Sequence, residues 1–408
     1  MALPTGAALR PAERRLVASL AAIYAVRLLG LFLLLPVLAL HAGELPGGTP
    51  LLAGLSVGAY GLTQALMQIP FGAWSDRIGR KPLIVVGLVL HVAGSALGAV
   101  AASAWSLVFA RIVQGLGAVS GPVMAFLADL TRPESRTRAM FAIGMSIGAS
   151  FVISLVAGPL LAAAIGVSGV FLLIGGLGIL ALALVLFALP AEPPARERAA
   201  ARRDWSRVLT PALMPHYAGI FMLHLTLTAA FIAVPHALRD LHGIEASRHW
   251  LFYLGVFAAS VALTVPLMLW SERGGRHGLA ARVGGVALAT ALAALVWTQA
   301  QLGGLAAALV LYFGAFNFLE ARLPAALTEA AGEASRGAAL GVFATCQFAG
   351  AFAGGVLGGS LLGSPWQLTG IFACAAIAGL AWLPWAGAIE MRQSGAIDSA
   401  RGGGGRLQ

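Results

Sequence analysis

Apolar stretches of about 20 residues recur along the whole sequence, and each is long enough to cross a lipid bilayer as an α-helix. Only 10% of the residues are charged, whereas about 25% is typical of soluble globular domains. The pattern therefore predicts an all-α polytopic membrane protein and argues against an ordinary soluble enzyme. Twelve transmembrane helices are predicted, at about residues 16–41, 51–74, 82–103, 105–130, 139–165, 167–190, 213–238, 250–271, 279–299, 302–327, 338–363 and 366–389.

The basic residues lie mostly in one set of linkers, those that follow the even-numbered spans, while the opposite linkers hold only Arg239 and Arg248. Because cytoplasmic loops carry an excess of Lys and Arg, both termini and the central linker are predicted to be cytoplasmic. The net charge of +10 is therefore interpreted as orientation in an inner membrane, with the lipid bilayer as partner, and not as a nucleic-acid-binding surface. The basic residues of this set are Arg77, Arg80, Lys81, Arg132, Arg136, Arg138, Arg273, Arg276, Arg282, Arg336 and a cluster at 196–207.

A short segment is repeated in the two halves of the chain. Residues 70–83 read PFGAWSDRIGRKPL and residues 266–277 read PLMLWSERGGRH, an offset of 196 positions (266 − 70). A second pair, 135–139 and 335–339, begins with Ser-Arg in both copies. Similarity at a fixed period between two halves of a membrane chain is the mark of a duplicated transporter. The predicted domains are an N-terminal six-helix bundle (1–190), a cytoplasmic linker (191–211), a C-terminal six-helix bundle (212–390) and a disordered cytoplasmic tail (391–408).

Two of these motifs resemble signatures of the major facilitator superfamily. The loop between the second and third spans matches at Gly72, Asp76, Arg77, Gly79, Arg80 and Lys81. The fourth span matches at Leu107, Arg111, Gln114, Gly115, Gly117 and Ala118.

The fifth span carries Gly158 and Pro159, the core of that family's antiporter-associated pattern and a predicted helix hinge. The neighbouring glycines of the pattern are replaced, which weakens the indication of an antiporter. Within the superfamily the chain resembles the YajR-type proton-driven efflux transporters, and it is expected to lack the soluble C-terminal domain that some of them carry. This closer likeness lies at 27–38, 60–72, 223–224, 315–320 and 347–348.

The resemblance implies two pseudo-symmetric six-helix bundles around a central cavity that opens alternately to each side. It also implies that Asp76, Arg80 and Asp129 form an acid–arginine–acid gate on the cytoplasmic side. The alternative is that these charges only anchor helix ends in the cytoplasm. The other residues predicted for the gate are Gly72, Arg77, Gly79 and, from the second copy, Glu272, Arg273 and Arg276.

Glu320 is the one acidic residue, of sixteen, that lies well within an apolar span. A carboxylate is costly to keep charged there and is usually functional, so Glu320 is predicted to carry a transported proton. Asn317 shares its helical face and is predicted to line the cavity. His224 in the seventh span is a candidate proton relay, because imidazole titrates near neutral pH. For Glu320 and His224, a purely structural role is the alternative.

Arg27 and Arg111 lie in the N-terminal half, whose spans hold no well-buried acid to pair with them. Arginine stays protonated, so neither residue can carry the proton. If both face inward, they and the neighbouring Gln64 and Gln114 form a substrate cavity with an electropositive wall. Such a wall favours an anionic or neutral amphipathic substrate. The alternative is that Arg111 only binds helix carbonyls.

Together these features predict a proton-coupled antiporter that exports a small amphipathic compound or drug by alternating access. It is predicted to act as a monomer, with a small-molecule substrate and protons as partners. Proton-coupled uptake of a small metabolite and a non-transporting membrane sensor or scaffold are the alternatives. The sequence shows no metal-ligand cluster, phosphate-binding loop or nucleophile–base arrangement, so no cofactor, metal or enzymatic activity is predicted.

Overall fold

Helices make up nearly all of the chain that the structure describes, and the described ranges contain no strand. A computed structural model describes residues 9–190, 205–273 and 276–402. The predicted all-α class is confirmed. The helices are α1 (Pro11–Phe32), α2 (Leu38–Glu44), α3 (Pro50–Ile78), α4 (Arg80–Ala99), α5 (Ala104–Gly115), α6 (Ser120–Leu130), α7 (Pro133–Ala183), α8 (Trp205–Val208), α9 (Met214–His236), α10 (His249–Glu272), α11 (His277–Thr298), α12 (Leu302–Leu362) and α13 (Gln367–Gly402), with short π or 3₁₀ turns at Leu184–Ala188, Ala237–Leu241 and Ala246–Arg248.

Two long helices are broken at a glycine. Gly166 in α7 has φ 71° and ψ 165°, and Gly332 in α12 has φ 68° and ψ 167°. Residues with a side chain rarely adopt this left-handed region, so glycine permits the break. Gly166 separates the fifth predicted span from the sixth, and Gly332 separates the tenth from the eleventh.

Ten helical segments of the described chain are long and apolar enough to cross a membrane. This count differs from the prediction at two places. Arg138–Ala188 counts as one continuous apolar stretch, although Gly166 breaks it. Helix α3 has 29 residues but is not among the ten, because its Gly, Ser, Thr and Gln residues reduce its hydropathy. The number twelve therefore stays a prediction.

The first and fourth predicted spans are each interrupted by a short segment that is not α-helical. Between α1 and α2, residues 33–37 form a turn in which Leu35 N donates to Phe32 O at 3.2 Å. Between α5 and α6, residues 116–119 leave the α-helical pattern, and Val119 N donates to Gly117 O at 2.9 Å. These interruptions leave backbone groups of two spans without α-helical partners.

Glycines allow the second part of α12 to pack directly on two other helices. A Cβ atom on Gly350 would collide with the carbonyl oxygen of Phe221 in α9. A Cβ atom on Gly54 in α3 would collide with the carbonyl oxygen of Gly355 in α12. Such close backbone approach is typical of small residues between membrane helices. The contact of α3 with α12 joins the two halves toward the end of the bundle that contains Pro50, called the Pro50 end below.

The last helix is longer than expected. Helix α13 continues to Gly402, so the backbone of residues 391–402 is helical, which differs from the disordered tail that was predicted. No proline follows Pro384 in this helix, and its Ala, Met, Arg and Gln residues favour helix. Residues 403–408 and most of the predicted linker, 191–204, lie outside the described residues.

The packing of α12 on α9 predicts that Gly350→Ala destabilises the protein. In an open helix position the same change stabilises by roughly 0.5–1 kcal/mol, but here the added methyl group meets the backbone of Phe221. We expect a lower thermal unfolding midpoint in detergent. The matched control is Gly341→Ala in the same helix, where nothing lies within 4 Å of the new methyl group. Equal midpoints for the two variants would contradict this packing.

Candidate functional site

A polar cluster joins three helical segments of the C-terminal half. It consists of His224 in α9, Glu320 in the first part of α12 and Gln347 in the second part. Gln347 Nε2 donates to Glu320 Oε1 at 3.2 Å and lies 2.8 Å from His224 Nε2. His224 Nε2 and Glu320 Oε1 are 3.8 Å apart. The structure thus brings together the two residues predicted for proton coupling, with a glutamine between them.

The hydrogen bonds of the cluster define which atoms are donors. His224 Nδ1 lies 3.3 Å from Ile220 O, and a carbonyl oxygen can only accept. Assigned from this network, the proton of a neutral imidazole is on Nδ1, so Nε2 accepts from Gln347. The Gln347 amide has two N–H groups and directs them to His224 and Glu320. Glu320 Oε2 is buried and has no hydrogen-bond partner.

The cluster is partly accessible although it lies within apolar segments. The side chain of Glu320 is 35% exposed and that of His224 is 14% exposed. Glu320 is near the middle of Leu302–Gly332, an apolar segment of 31 residues. Asn317, on the same face, is half-buried. Oε2 itself is buried, so the exposed fraction belongs to the rest of the Glu320 side chain. Among the described residues, no group of three or more His, Cys, Asp or Glu side chains could hold a metal ion.

Arg111 is the centre of a second, more deeply buried network in the N-terminal half. Its Nε donates to Ser56 O at 3.2 Å, its Nη1 donates to Gln114 Oε1, and its guanidinium lies 4.8 Å from the ring centroid of Tyr60. Gln114 Nε2 in turn donates to Ser95 Oγ at 3.0 Å. Arg111 and Gln114 thus tie α3, α4 and α5 together. Both are buried, and their role in lining a cavity stays a prediction.

Gln64 forms hydrogen bonds with backbone carbonyls at the interruption of the fourth span. Its Nε2 donates to Gly115 O at 2.8 Å and lies 3.2 Å from Gly117 O. These carbonyls lie where α5 ends, so the backbone offers them no α-helical donor. Gln64 is fully buried and supplies that donor from α3.

Arg27 in α1 is also buried, but it has fewer partners. Its Nη1 donates to Ser120 Oγ at 3.3 Å. Its Nε and Nη2 are buried without a hydrogen-bond partner. The two arginines predicted to face the same cavity therefore differ. Arg111 has acceptors for two nitrogens, Nε and Nη1, whereas Arg27 has an acceptor for Nη1 alone.

The residues of the predicted gate meet at the end of α3. Arg80 Nε donates to Asp129 Oδ2 at 3.2 Å, and its Nη1 bonds Asp76 and lies 2.8 Å from Ser75 Oγ. Gly79, with φ 120°, forms the joint between α3 and α4 that places Arg80 there. The arginine thus joins α4 to α3 and α6 within the N-terminal half. This end of the bundle is called the Asp76 end below.

The charged residues in the second copy of the repeated segment, 266–277, are arranged differently from those in the first copy. Glu272 and Arg273 are exposed, and Arg276 lies 5.9 Å from the ring centroid of Trp270. Arg77 in the first copy is exposed as well. The gating role of these four charged residues stays a prediction.

The predicted glycines have local roles. Gly158 in α7 lies against the turn that interrupts the first span, since a Cβ atom there would collide with Leu33 O. Pro159 follows it within α7. Gly72 O accepts a hydrogen bond from Ser75 Oγ at 2.9 Å. These contacts are consistent with close packing, and the hinge at Gly158 stays a prediction.

The two halves also touch at the Pro50 end and near the middle of the bundle. Arg239 Nη1, after α9, lies 3.5 Å from Glu44 Oε1 at the end of α2. The ring of Phe151 in α7 packs on Phe231 at 6.4 Å and on Phe257 at 5.5 Å between centroids. Together with Gly54, these residues close the bundle from its middle to the Pro50 end.

Sequence reasoning gave no role to Gln347 or Ser120. Gln347 is an amide in an otherwise apolar, glycine-rich segment, and that isolation was an available signal. Ser120 had no comparable signal, because its importance comes from the interruption of the fourth span.

The bonds of Gln64 predict that Gln64→Leu lowers stability by about 1–3 kcal/mol, because it removes the side-chain donor from the carbonyl of Gly115, whereas Gly117 O keeps its bond from Val119 N. The control is Gln68→Leu, one turn further along α3, where the amide oxygen already has no partner. Thermal unfolding in detergent measures the difference. A larger loss for Gln68→Leu than for Gln64→Leu would contradict the role of Gln64.

Comparison with known proteins places this geometry in a family. The model of the Major Facilitator Superfamily matches residues 20–232, more than half of the chain. Inner membrane transport protein YajR from Escherichia coli (strain K12) is 37% identical over 380 residues, which cover 91% of this chain and 83% of that protein. Multidrug resistance protein MdtH from Yersinia pestis (strain Pestoides F) is 31% identical over 253 residues, which cover 60% of this chain and 61% of that protein.

A solved structure shares the fold at lower sequence identity. The human organic anion transporter MFSD10 aligns with a TM-score of 0.69 and 18% identity, covering 92% of this chain and 100% of that chain. At this identity the likeness concerns the fold alone. The family model and the relatives together show that the chain belongs to the Major Facilitator Superfamily and is a membrane transporter, not an enzyme.

Proposed function

We propose that this chain is an inner-membrane, proton-coupled antiporter that exports a small amphipathic compound or drug, anionic or neutral, by alternating access. The observation that carries the proposal is the contact of Glu320 with Gln347 and His224 inside apolar segments. A carboxylate within an apolar membrane segment is expensive to maintain and usually functional. The transporter acts as a monomer in this proposal.

Glu320 is suited to accept and release a proton. Its Oε1 accepts the bond from Gln347, while its Oε2 has no partner. A proton can therefore bind Oε2 without breaking the contact with Gln347. Binding removes a negative charge from an apolar segment, so it changes the relative free energies of the conformations that the halves adopt. His224 receives the other Gln347 N–H group and acts as the relay or polar partner of this site.

The name of one similar protein supports the direction of transport. This relative is a multidrug resistance protein, which supports export. The buried arginines of the N-terminal half agree with an anionic substrate.

The distribution of Lys and Arg supports a cytoplasmic position for the Asp76 end and both termini. The halves are closed from the middle to the Pro50 end by Gly54, Phe151 and the pair of Glu44 with Arg239. With the Asp76 end in the cytoplasm, this conformation is closed on the opposite, extracytoplasmic side of the membrane. The contacts of Arg80 with Asp76 and Asp129 lie at the opposite end, where they act as the cytoplasmic gate when the cavity opens outward.

The main test is accumulation of anionic, neutral and cationic amphiphiles in cells that lack their own efflux pumps. We expect cells with the native protein to exclude one class of compound and to lose that exclusion with an uncoupler or with Glu320→Gln. The reason is that the amide keeps the size of the side chain but cannot release a proton. The matched control is Glu329→Gln, further along α12, where the exposed carboxylate pairs with Arg322 at 3.6 Å.

The alternatives give different results in the same experiment. Full uncoupler-sensitive export by Glu320→Gln would overturn the role of Glu320. Greater accumulation in cells with the native protein would favour proton-coupled uptake. Equal accumulation with and without the protein, across the panel, would favour a sensor or scaffold.

The gate predicts that Arg80→Gln slows export while the protein still binds its compound. The loss of roughly 1.4 kcal/mol from one conformation would change the rate about tenfold. The control is Arg15→Gln, because Arg15 is exposed in α1 and is not among the predicted gate residues. Initial export rates and equilibrium binding are compared for both variants. Equal rates for the two variants would favour simple anchoring of the helix ends.

A further inference from the structure

The interruption of the fourth span creates a helix N-terminus inside the bundle. Helix α6 begins at Ser120, and its N-cap residue, Val119, provides no side-chain hydrogen bond. The first N–H groups of an α-helix have no partner within the helix and carry the positive end of its dipole. Pro122 has no N–H group, so Ser120 and Gly121 offer the first available donors.

Arg27 points at this helix N-terminus. Its Nη1 donates to Ser120 Oγ at 3.3 Å, while its buried Nε and Nη2 have no partner. Only 1% of the residue is exposed. Nε and Nη2 form one edge of the guanidinium, which presents two parallel N–H groups. That edge matches two oxygens of a carboxylate or sulfonate.

Among the residues that the structure describes, the surroundings of Arg27 contain polar groups but no acid. His91 of α4 lies near Arg27, and both of its ring nitrogens are buried without a partner. Tyr24, one turn earlier on α1, is half-buried and lies near Arg27 and Ser120. The described acidic residues of the N-terminal half all lie within about one turn of a helix end: Glu13, Glu44, Asp76, Asp129 and Glu134.

Arg111 is not equivalent to Arg27. Its Nε and Nη1 bond Ser56 and Gln114, and the face of its guanidinium covers Tyr60. Binding an anion there would require these contacts to break. Arg27 instead keeps the Nε–Nη2 edge unused, while its Nη1 contacts Ser120 at the start of α6.

We propose that Arg27 and the N-terminus of α6 bind the anionic head group of the transported compound, a carboxylate or sulfonate. This inference rests on the proposed function and names the site and the charge of its substrate. Discontinuous membrane helices use such half-helix N-termini to bind anionic groups. The bound anion neutralises a charge for which the described residues provide no acidic partner.

The test uses the full chain, purified in an uncharged detergent at constant ionic strength with gluconate as the background anion. Benzoate and benzenesulfonate are titrated, with benzamide as the neutral probe of similar shape. A ligand that binds the folded protein raises its thermal unfolding midpoint with concentration. We expect a saturable rise with both anions and none with benzamide.

Arg27→Gln distinguishes a binding role from a structural one. We expect this variant to lose the response to both anions, while its midpoint without ligand stays equal or rises. The reason is that the substitution removes a buried and uncompensated charge. Arg27→Lys keeps the charge but loses the pair of parallel N–H donors. It should therefore need about tenfold more anion for the same shift of the unfolding midpoint. Arg239→Gln, at the Pro50 end, should respond like the native protein.

Three outcomes would overturn the site: no response of the native protein to either anion, an equal response to benzamide, or an unchanged anion response in Arg27→Gln. A fall in the unliganded midpoint of Arg27→Gln with the anion response retained would assign Arg27 a structural role. The assay uses no proton gradient. Its failure therefore leaves proton-coupled export standing, and a failure of export leaves anion binding at Arg27 standing.

Discussion

Backbone polar groups that lie away from water need hydrogen-bond partners, and this requirement governs the structure. A continuous helix meets that need by itself, but the first and fourth spans are interrupted inside the bundle. The carbonyls at the end of α5 receive the side-chain amide of Gln64 from α3. The amide groups at the start of α6 receive no side-chain cap. One side of the interruption is thus completed by the protein, and the other side is left able to bind an anion.

The two halves share a fold but differ in the charge that they bury. The N-terminal half contains Arg27 and Arg111, which remain protonated throughout any cycle. The C-terminal half contains Glu320, which can lose its charge, held by Gln347 beside His224. Among the described side chains, Glu320 is the carboxyl group placed to change the net charge of the bundle interior by titration. This division separates a site of fixed charge from a site of variable charge.

The sequence predicted those features that depend on residue type within one segment. Hydropathy located the helices, and a lone acid in an apolar span located Glu320. The repeated loop located Arg80, which the structure places with Asp76 and Asp129. The sequence could not predict features that depend on backbone breaks or on packing between distant segments. Gln347 contributes because α12 breaks at Gly332 and brings its second part beside its first, and Arg27 differs from Arg111 because only one of them faces the interrupted span.

The fixed charge at Arg27 has consequences for the energy of transport. Exchange of one external proton for one internal monoanion moves two charges in the direction that a potential negative inside favours. Each charge contributes about 2.3 kcal/mol for every 100 mV, so the exchange gains roughly twice that amount. Joint movement of one proton with one monoanion carries no net charge and gains nothing from the potential. Because arginine cannot discharge during the cycle, the proposed mechanism makes the timing of proton binding at the Glu320 site set which of these two charge balances applies. An anion at Arg27 and a proton at Glu320 that bind in turn give voltage-driven export, whereas simultaneous binding gives electroneutral uptake.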